Sequence, residues 1–294
     1  MDTLSYLNGT NFAARFNIFA VITRAASLAS PLIALFFASG CAAAPVPEPA
    51  PAPTPAYSTA ASPEVFDVTG TLQALRDNLD AIEEETGTEL GISLYDGHVN
   101  GYTGTIATLP SWSTVKVPIA LAAQQHCDVS DAALETLIEA SIEWSDNDSA
   151  STLLQCVGTQ HVEEEVAEAG ATIDVNSAFG RSDWPLASAA RYGWYLSTRD
   201  EDNEVIIAMH NVVDEQQWGL GALDDAAFKG GWSGDRLDGS WHSRQFGFVP
   251  MDGAALGVAI AARSPEGSYA DTIEALDQLT AVLAEQLGVA VRPR

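Results

Sequence analysis

Lysine is nearly missing from this chain. Of 13 basic residues among 294, eleven are Arg and only Lys116 and Lys229 are Lys, against 40 Asp and Glu. The resulting formal charge of -27 repels phosphates, which excludes nucleic acid and anionic lipid headgroups as partners. A salt-adapted or acidic proteome would produce the same acidity. Charge is sparse overall, at 18% of residues against 47% hydrophobic, so most of the chain reads as globular, enough for one large domain or two small ones. Histidine is also scarce. The five His show no metal-ligand spacing and join no Cys in a zinc pattern, so no metal or other cofactor is expected. Cysteine is limited to Cys41, Cys127 and Cys156, an odd count that leaves one thiol for another use. No apolar run reaches the ~20 residues of a membrane span; the longest candidate, residues 25–40, is interrupted by Pro31.

That run instead has the layout of an export signal, with Arg15 and Arg24 ahead of it and Ala38-Ser39-Gly40-Cys41 at its end. Small residues just before a Cys resemble the bacterial lipobox. The resemblance implies that residues 1–40 are a signal peptide and that Cys41 becomes the lipid-bearing N-terminus, holding the protein on the extracytoplasmic face of a membrane. An uncleaved anchor is the plainer alternative. Residues 41–63 are rich in Pro and Ala and predict an extended, semi-rigid tether. Residues 64–294 form the domain proper. In an exported domain Cys127 and Cys156 are candidates for a disulfide closing a loop of about 30 residues, worth roughly 3–4 kcal/mol. Two free buried thiols are the alternative.

Within the domain, apolar spacing predicts a helix over residues 68–85, and alternation predicts strands over 89–95 and 98–104 around the turn Asp96-Gly97. Helices follow over 113–125, 131–143, 147–157, 161–169, 186–196 and 204–213. Strands at 227–232, 245–250 and 255–262 precede a last helix at 268–286. This order predicts an α+β fold: a five-stranded antiparallel sheet built from both ends of the chain, flanked by the terminal helices, with a helical subdomain inserted over about residues 113–225.

Three short motifs carry chemistry. Ser113 and Lys116 stand three apart, which stacks them on one face of a helix start. A Ser hydroxyl needs a base within hydrogen-bond reach, and a desolvated Lys can be that base where an Arg cannot, because Arg does not deprotonate. In a chain that otherwise uses Arg, a Lys here is informative, although an ordinary capped helix start accounts for the motif taken alone. Ser145-Asp146-Asn147 falls between two helices, where it either caps the second or points a hydroxyl and an amide into a cleft. Lys229-Gly230-Gly231-Trp232 lies on a strand whose glycines admit close backbone approach; a bulge with a surface Lys is the plainer reading.

Ser-x-x-Lys, then Ser-Asp-Asn, then Lys-Gly-Gly in place of Lys-Thr-Gly, resembles the signature order of class A β-lactamases and penicillin-binding proteins. The resemblance covers about residues 65–288. It implies that Ser113 attacks a carbonyl to form an acyl-enzyme, that Lys116 activates it, and that Ser145 relays a proton to the leaving nitrogen. It further implies that Asn147 binds the substrate amide, that Lys229 keeps the cleft positive, and that the backbone amides of Ser113 and Trp232, the latter beyond Gly231, form the oxyanion hole. The substrate would be a β-lactam or a peptidoglycan stem peptide, and the protein a monomer.

Two departures from the family pattern stand out. Gly230 lacks the hydroxyl that helps hold the substrate carboxylate; Arg244 is a candidate replacement, a surface salt bridge being its other reading. The family's Glu-x-x-Leu-Asn, which activates the hydrolytic water, is absent between Ser145 and Lys229. Glu163, Glu164, Glu165 and Glu168 read as a solvated helix face, and Asp183 is a weak substitute. The stretch from Ser113 to Ser145 is also shorter than in typical class A enzymes.

Overall fold

The computed structural model describes residues 66–292. The expected signal segment, Cys41 and the Pro/Ala tether lie outside the described residues. Among the described residues no helix is long and apolar enough to cross a membrane.

Five antiparallel strands form the main sheet in the order β2-β1-β7-β6-β5: β1 Glu89–Tyr95, β2 Asn100–Gly104, β5 Ala227–Gly234, β6 Trp241–Met251 and β7 Ala254–Ser264. The first and last strand groups in sequence meet where β1 pairs with β7, Ile92 opposite Ile260. One face is covered by the terminal helices α1 (Val68–Thr86) and α8 (Tyr269–Leu287). Both follow helical periodicity, burying Leu75, Leu79 and Ile82 from α1 and Leu276, Leu279 and Leu283 from α8 against Ile92, Val258 and Ile260 of the sheet. Each such side chain contributes about 1.5–3 kcal/mol by leaving water. Asp67 caps α1, Ser268 caps α8, and left-handed Gly87 and Gly288 end them.

Alternate residues of β7, Ala259 and Ala261, face the opposite layer with α6 (Leu186–Leu196). There the chain is trimmed to allow backbone contact: a methyl added at Gly193 of α6 would fall 2.2 Å from the carbonyl oxygen of Gly247 on β6. Around α2 (Lys116–His126) gather α3 (Asp131–Ile142), α4 (Asn147–Val157), α5 (Thr159–Glu168) and α7 (Glu204–His210). From Lys116 to Ala123 every residue of α2 is buried, which makes it the axis of this helical layer. A disulfide joins Cys127, just past α2, to Cys156 near the end of α4, with Cα atoms 5.7 Å apart.

The predicted helices and the five sheet strands are present, with three corrections. Residues 113–115 do not open the α-helix: Trp112–Val115 is a 3-10 turn, and α2 starts at Lys116. Strand β6 begins at Trp241 rather than 245, because a strand between two others is buried even where its residues are polar, as His242, Ser243 and Arg244 are. A separate two-stranded sheet, β3 (Thr108–Pro110) with β4 (Asp183–Pro185), was too short to show a period.

Candidate active site

The turn carrying Ser113 is locked from both sides. Ser111 N–H donates to the Ser182 carbonyl at 2.6 Å, and Ser111 Oγ donates to the Phe179 carbonyl at 3.0 Å. Ser111, Trp112, Thr114 and Val115 are all buried, so Ser113 is the one residue of the turn that reaches the surface. Trp112 before it has φ of 46°, a left-handed conformation unusual outside Gly. Ser145 is also left-handed, at 57°. Backbone strain at Ser145 and just before Ser113 is characteristic of sites where the fold holds a residue for function.

Lys116 projects from the first turn of α2 into the loop between α3 and α4. Its Nζ donates to the Ser145 carbonyl at 2.6 Å, to Asn147 Oδ1 at 2.8 Å, to the Asp146 carbonyl at 3.2 Å and to Ser145 Oγ at 3.3 Å. Two of the three motifs therefore converge on one amine. Burial among apolar side chains pushes its pKa down to about 8, against the opposing pull of the Asp146 carboxylate. Asp146 is meanwhile the N-cap of α4, accepting from Ser149 N–H at 2.7 Å, so the capping reading of this tripeptide holds. The hydrogen bonds of Lys116 Nζ go to the loop of residues 145–147, and none joins it to the Ser113 hydroxyl.

The third motif joins through the backbone. β5 runs beside the turn that carries Ser113, and Gly231 lies directly against Ser113. Trp232 and Ser233, next along β5, form a wall of a cleft of about 530 Å³. Ser113, Trp112, Asn147, one face of α4 (Ser151, Leu154, Gln155) and residues 177–181 complete it.

Lys229 does not line this cleft. It is fully buried beneath it, donating to the Gly230 carbonyl at 3.0 Å and to Gln216 Oε1 at 3.3 Å. Burial and the Lys116 charge hold its pKa well below the usual range. Arg244 is neither a surface ion pair nor a cleft residue. It is fully buried, and its Nη1 donates to the carbonyls of Leu109 (2.8 Å) and Trp184 (2.9 Å). It staples β3 and β4 to the main sheet and so fixes the segment leading into Ser113. The sequence reading had Arg244 opening the strand, in contact with substrate or in a surface salt bridge; its burial between two strands was not foreseen.

No Asp or Glu lines the cleft. Glu163 accepts from Val175 N–H, Glu164 pairs with His161 at the surface, and Glu168 accepts from Tyr195. Glu165 does not sit on a solvated face as its spacing implied; it is buried, held by Arg199 at 2.8 Å, Tyr192 and Gln125. Asp183 is exposed on β4. The wall facing Lys116 is instead occupied by the ring of Phe179, whose centroid lies 5.7 Å from Nζ. Of the Trp residues flanking the motifs, Trp112 and Trp232 line the cleft, whereas Trp144 is 64% exposed. The residues sequence reasoning passed over are Phe179 and Arg181, in a segment without regular periodicity.

No protein-family model matches the chain, and no curated protein matches it. Solved structures do. A class A β-lactamase of Bacteroides cellulosilyticus aligns over 74% of this chain and 98% of its own, with 14% identity and a TM-score of 0.61. A β-lactamase of Chitinophaga pinensis aligns over 72% and 98%, with 16% identity and a TM-score of 0.56. One of Streptosporangium roseum aligns over 74% and 99%, also with 16% identity and 0.56. Residues 66–292 thus have the α+β fold of the class A β-lactamases.

Proposed function

We propose that the protein is an acyl-serine enzyme of the β-lactamase and penicillin-binding type, opening amide bonds of β-lactams or peptidoglycan stem peptides. The observation that carries the reading is the position of Lys116 Nζ, within 3.3 Å of Ser145 Oγ and 2.8 Å of Asn147 Oδ1, with an amine that loses its proton near pH 8. Ser113 Oγ attacks the carbonyl carbon, and its proton passes to the neutral amine of Lys116. The amides of Ser113 and Trp232 hold the developing oxyanion. As the C–N bond breaks, a proton returns through Ser145 Oγ to the leaving nitrogen, and the acyl group stays on Ser113. Water must then cleave that ester. With no carboxylate lining the cleft to activate it, release is slow, and the protein behaves more as a penicillin binder than as an efficient β-lactamase.

The Ala-Ser-Gly-Cys41 ending and the Pro/Ala tether support the reading of a lipid-anchored protein on the extracytoplasmic face, where such substrates occur. A fluorescent penicillin tests the chemistry. It should label the wild type covalently and leave Ser113→Ala unlabelled; absence of labelling at high concentration overturns the proposal. The unmade Ser113–Lys116 hydrogen bond favours a second reading, a family member that binds wall peptide or a protein partner without turnover. In that case ligand affinity persists in Ser113→Ala and no adduct forms.

A further inference from the structure

Ser113 shares its cleft with Asn147, Ser151, Leu154 and Gln155 of α4, whereas Ser145, just before that helix, does not line it. The eight helical steps from residue 147 to 155 cover about 12 Å. Under the acyl-serine reading, on which this inference rests, Ser145 serves the leaving nitrogen. The leaving part of the substrate therefore lies toward Ser145, and the cleft receives the part that stays on Ser113.

In a chain of net charge -27, this cleft has no acidic lining and one basic residue, Arg181. Its guanidinium lies over the ring of Trp112, 5.9 Å from the centroid. Among the described residues no carboxylate pairs with it, although 40 are present in the chain. Its backbone is fixed by a bond from Arg181 N–H to the Ala178 carbonyl at 2.7 Å, and Gly180 packs on the Trp112 backbone, so the turn bearing Arg181 is anchored to the turn bearing Ser113. The other polar groups of the cleft, Asn147, Ser151, Gln155, Ser177 and Ser233, are neutral.

We propose that this cleft selects acyl donors carrying a carboxylate on the retained side, such as an acidic peptide, and that Arg181 on its Trp112 platform is the residue that binds it. Neither Lys229 nor Arg244 lines this cleft: both are fully buried, the Lys229 amine on the Gly230 carbonyl and Arg244 Nη1 on the carbonyls of Leu109 and Trp184.

Carbenicillin and benzylpenicillin differ by one carboxylate on the retained side chain, so the ratio of their acylation rates reads the contact directly. The wild type should favour carbenicillin by about tenfold, as one partly exposed charge-assisted contact would give. Arg181→Ala should bring the ratio to about one, and Arg181→Lys should keep part of it. A wild-type ratio near one, or a preference that survives in Arg181→Ala, overturns the proposal. Calorimetric affinities of the same two compounds for Ser113→Ala, with and without Arg181→Ala, separate it from the acyl-serine reading. If no adduct ever forms but the carboxylate preference in affinity disappears with Arg181, only the chemistry has failed. If Ser113→Ala binds neither compound, or binds both equally, the Arg181 proposal fails as well.

Discussion

The Cα of Gly231 lies against the backbone of Ser113 so closely that a methyl group added there would sit 2.6 Å from the Ser113 amide nitrogen and 3.0 Å from the Ser111 carbonyl oxygen. Neither neighbour can swing aside, since Ser111 is hydrogen-bonded through both its N–H and its hydroxyl. Gly231→Ala should therefore push β5 away from the turn and separate the Ser113 and Trp232 amides proposed to hold the oxyanion. Penicillin acylation should fall by about 10²–10³-fold, the range for loss of one such donor. Thermal stability should drop by a smaller, overpacking-sized amount of about 1–3 kcal/mol. Acylation within threefold of wild type would show that the Gly231–Ser113 contact is not part of the site.

The pH dependence follows from Lys116. Its amine accepts a proton only when neutral, so acylation should rise as pH increases through about 8. The negative charge of Asp146 opposes deprotonation of this amine. Asp146→Asn keeps a capping oxygen for α4 while removing that charge, and should move the rising limb to lower pH. Stopped-flow acylation between pH 5 and 10 measures both curves, and a variant whose limb moves upward contradicts the assignment of Lys116 as the base.

Holding this amine in place costs stability. A folded pKa near 8 against 10.5 for a free lysine amounts to a penalty on the order of 3 kcal/mol at neutral pH. The unfolded chain binds the extra proton between about pH 8 and 10.5, so the penalty is complete below that window and disappears as pH rises through it. Lys116→Met removes the penalty but leaves the Ser145 carbonyl and Asn147 Oδ1 without their donor. The variant should be inactive yet roughly 1–2 kcal/mol more stable at pH 7, with the advantage shrinking toward pH 10. Urea unfolding at the two pH values tests this; a variant less stable than wild type at pH 7 would mean that the hydrogen bonds outweigh the desolvation.

The Cys127–Cys156 bridge ties α2 to α4, the helices supplying Lys116 and one wall of the cleft. With its ends 29 positions apart in sequence, its removal should cost about 3–4 kcal/mol. The double Cys→Ala variant should melt roughly 7–15 °C lower by calorimetry. A melting temperature within 2 °C of wild type would show that the bridge constrains little.

What could be read in advance followed from what each signal depends on. Helices α1 and α8 announced themselves because one side of each faces the core at helical spacing, β1 by its alternation, and β7, which is buried on both faces, as an apolar run between turn residues. Ser113, Lys116, Ser145 and Asn147 were legible because their chemistry needs fixed spacings, and the rarity of Lys marked two of the three motifs. Arg244 was misplaced because burial of a polar strand segment depends on its two sheet neighbours, which no local pattern encodes. Glu165 was taken as solvated because its partners Arg199 and Tyr192 lie 34 and 27 residues away. Phe179 and Arg181 reach the cleft through a turn held by Ser111, a contact 68 residues distant in sequence.

The account stands on a covalent bond at Ser113, and intact-mass spectrometry of the protein mixed with benzylpenicillin observes it directly. The expected result is a mass increase equal to one whole penicillin, since opening the ring expels nothing. It should decay over minutes to hours rather than seconds, and be absent from both Ser113→Ala and Lys116→Met. An unmodified wild-type mass at saturating penicillin, or an adduct that persists in Ser113→Ala, would contradict the account.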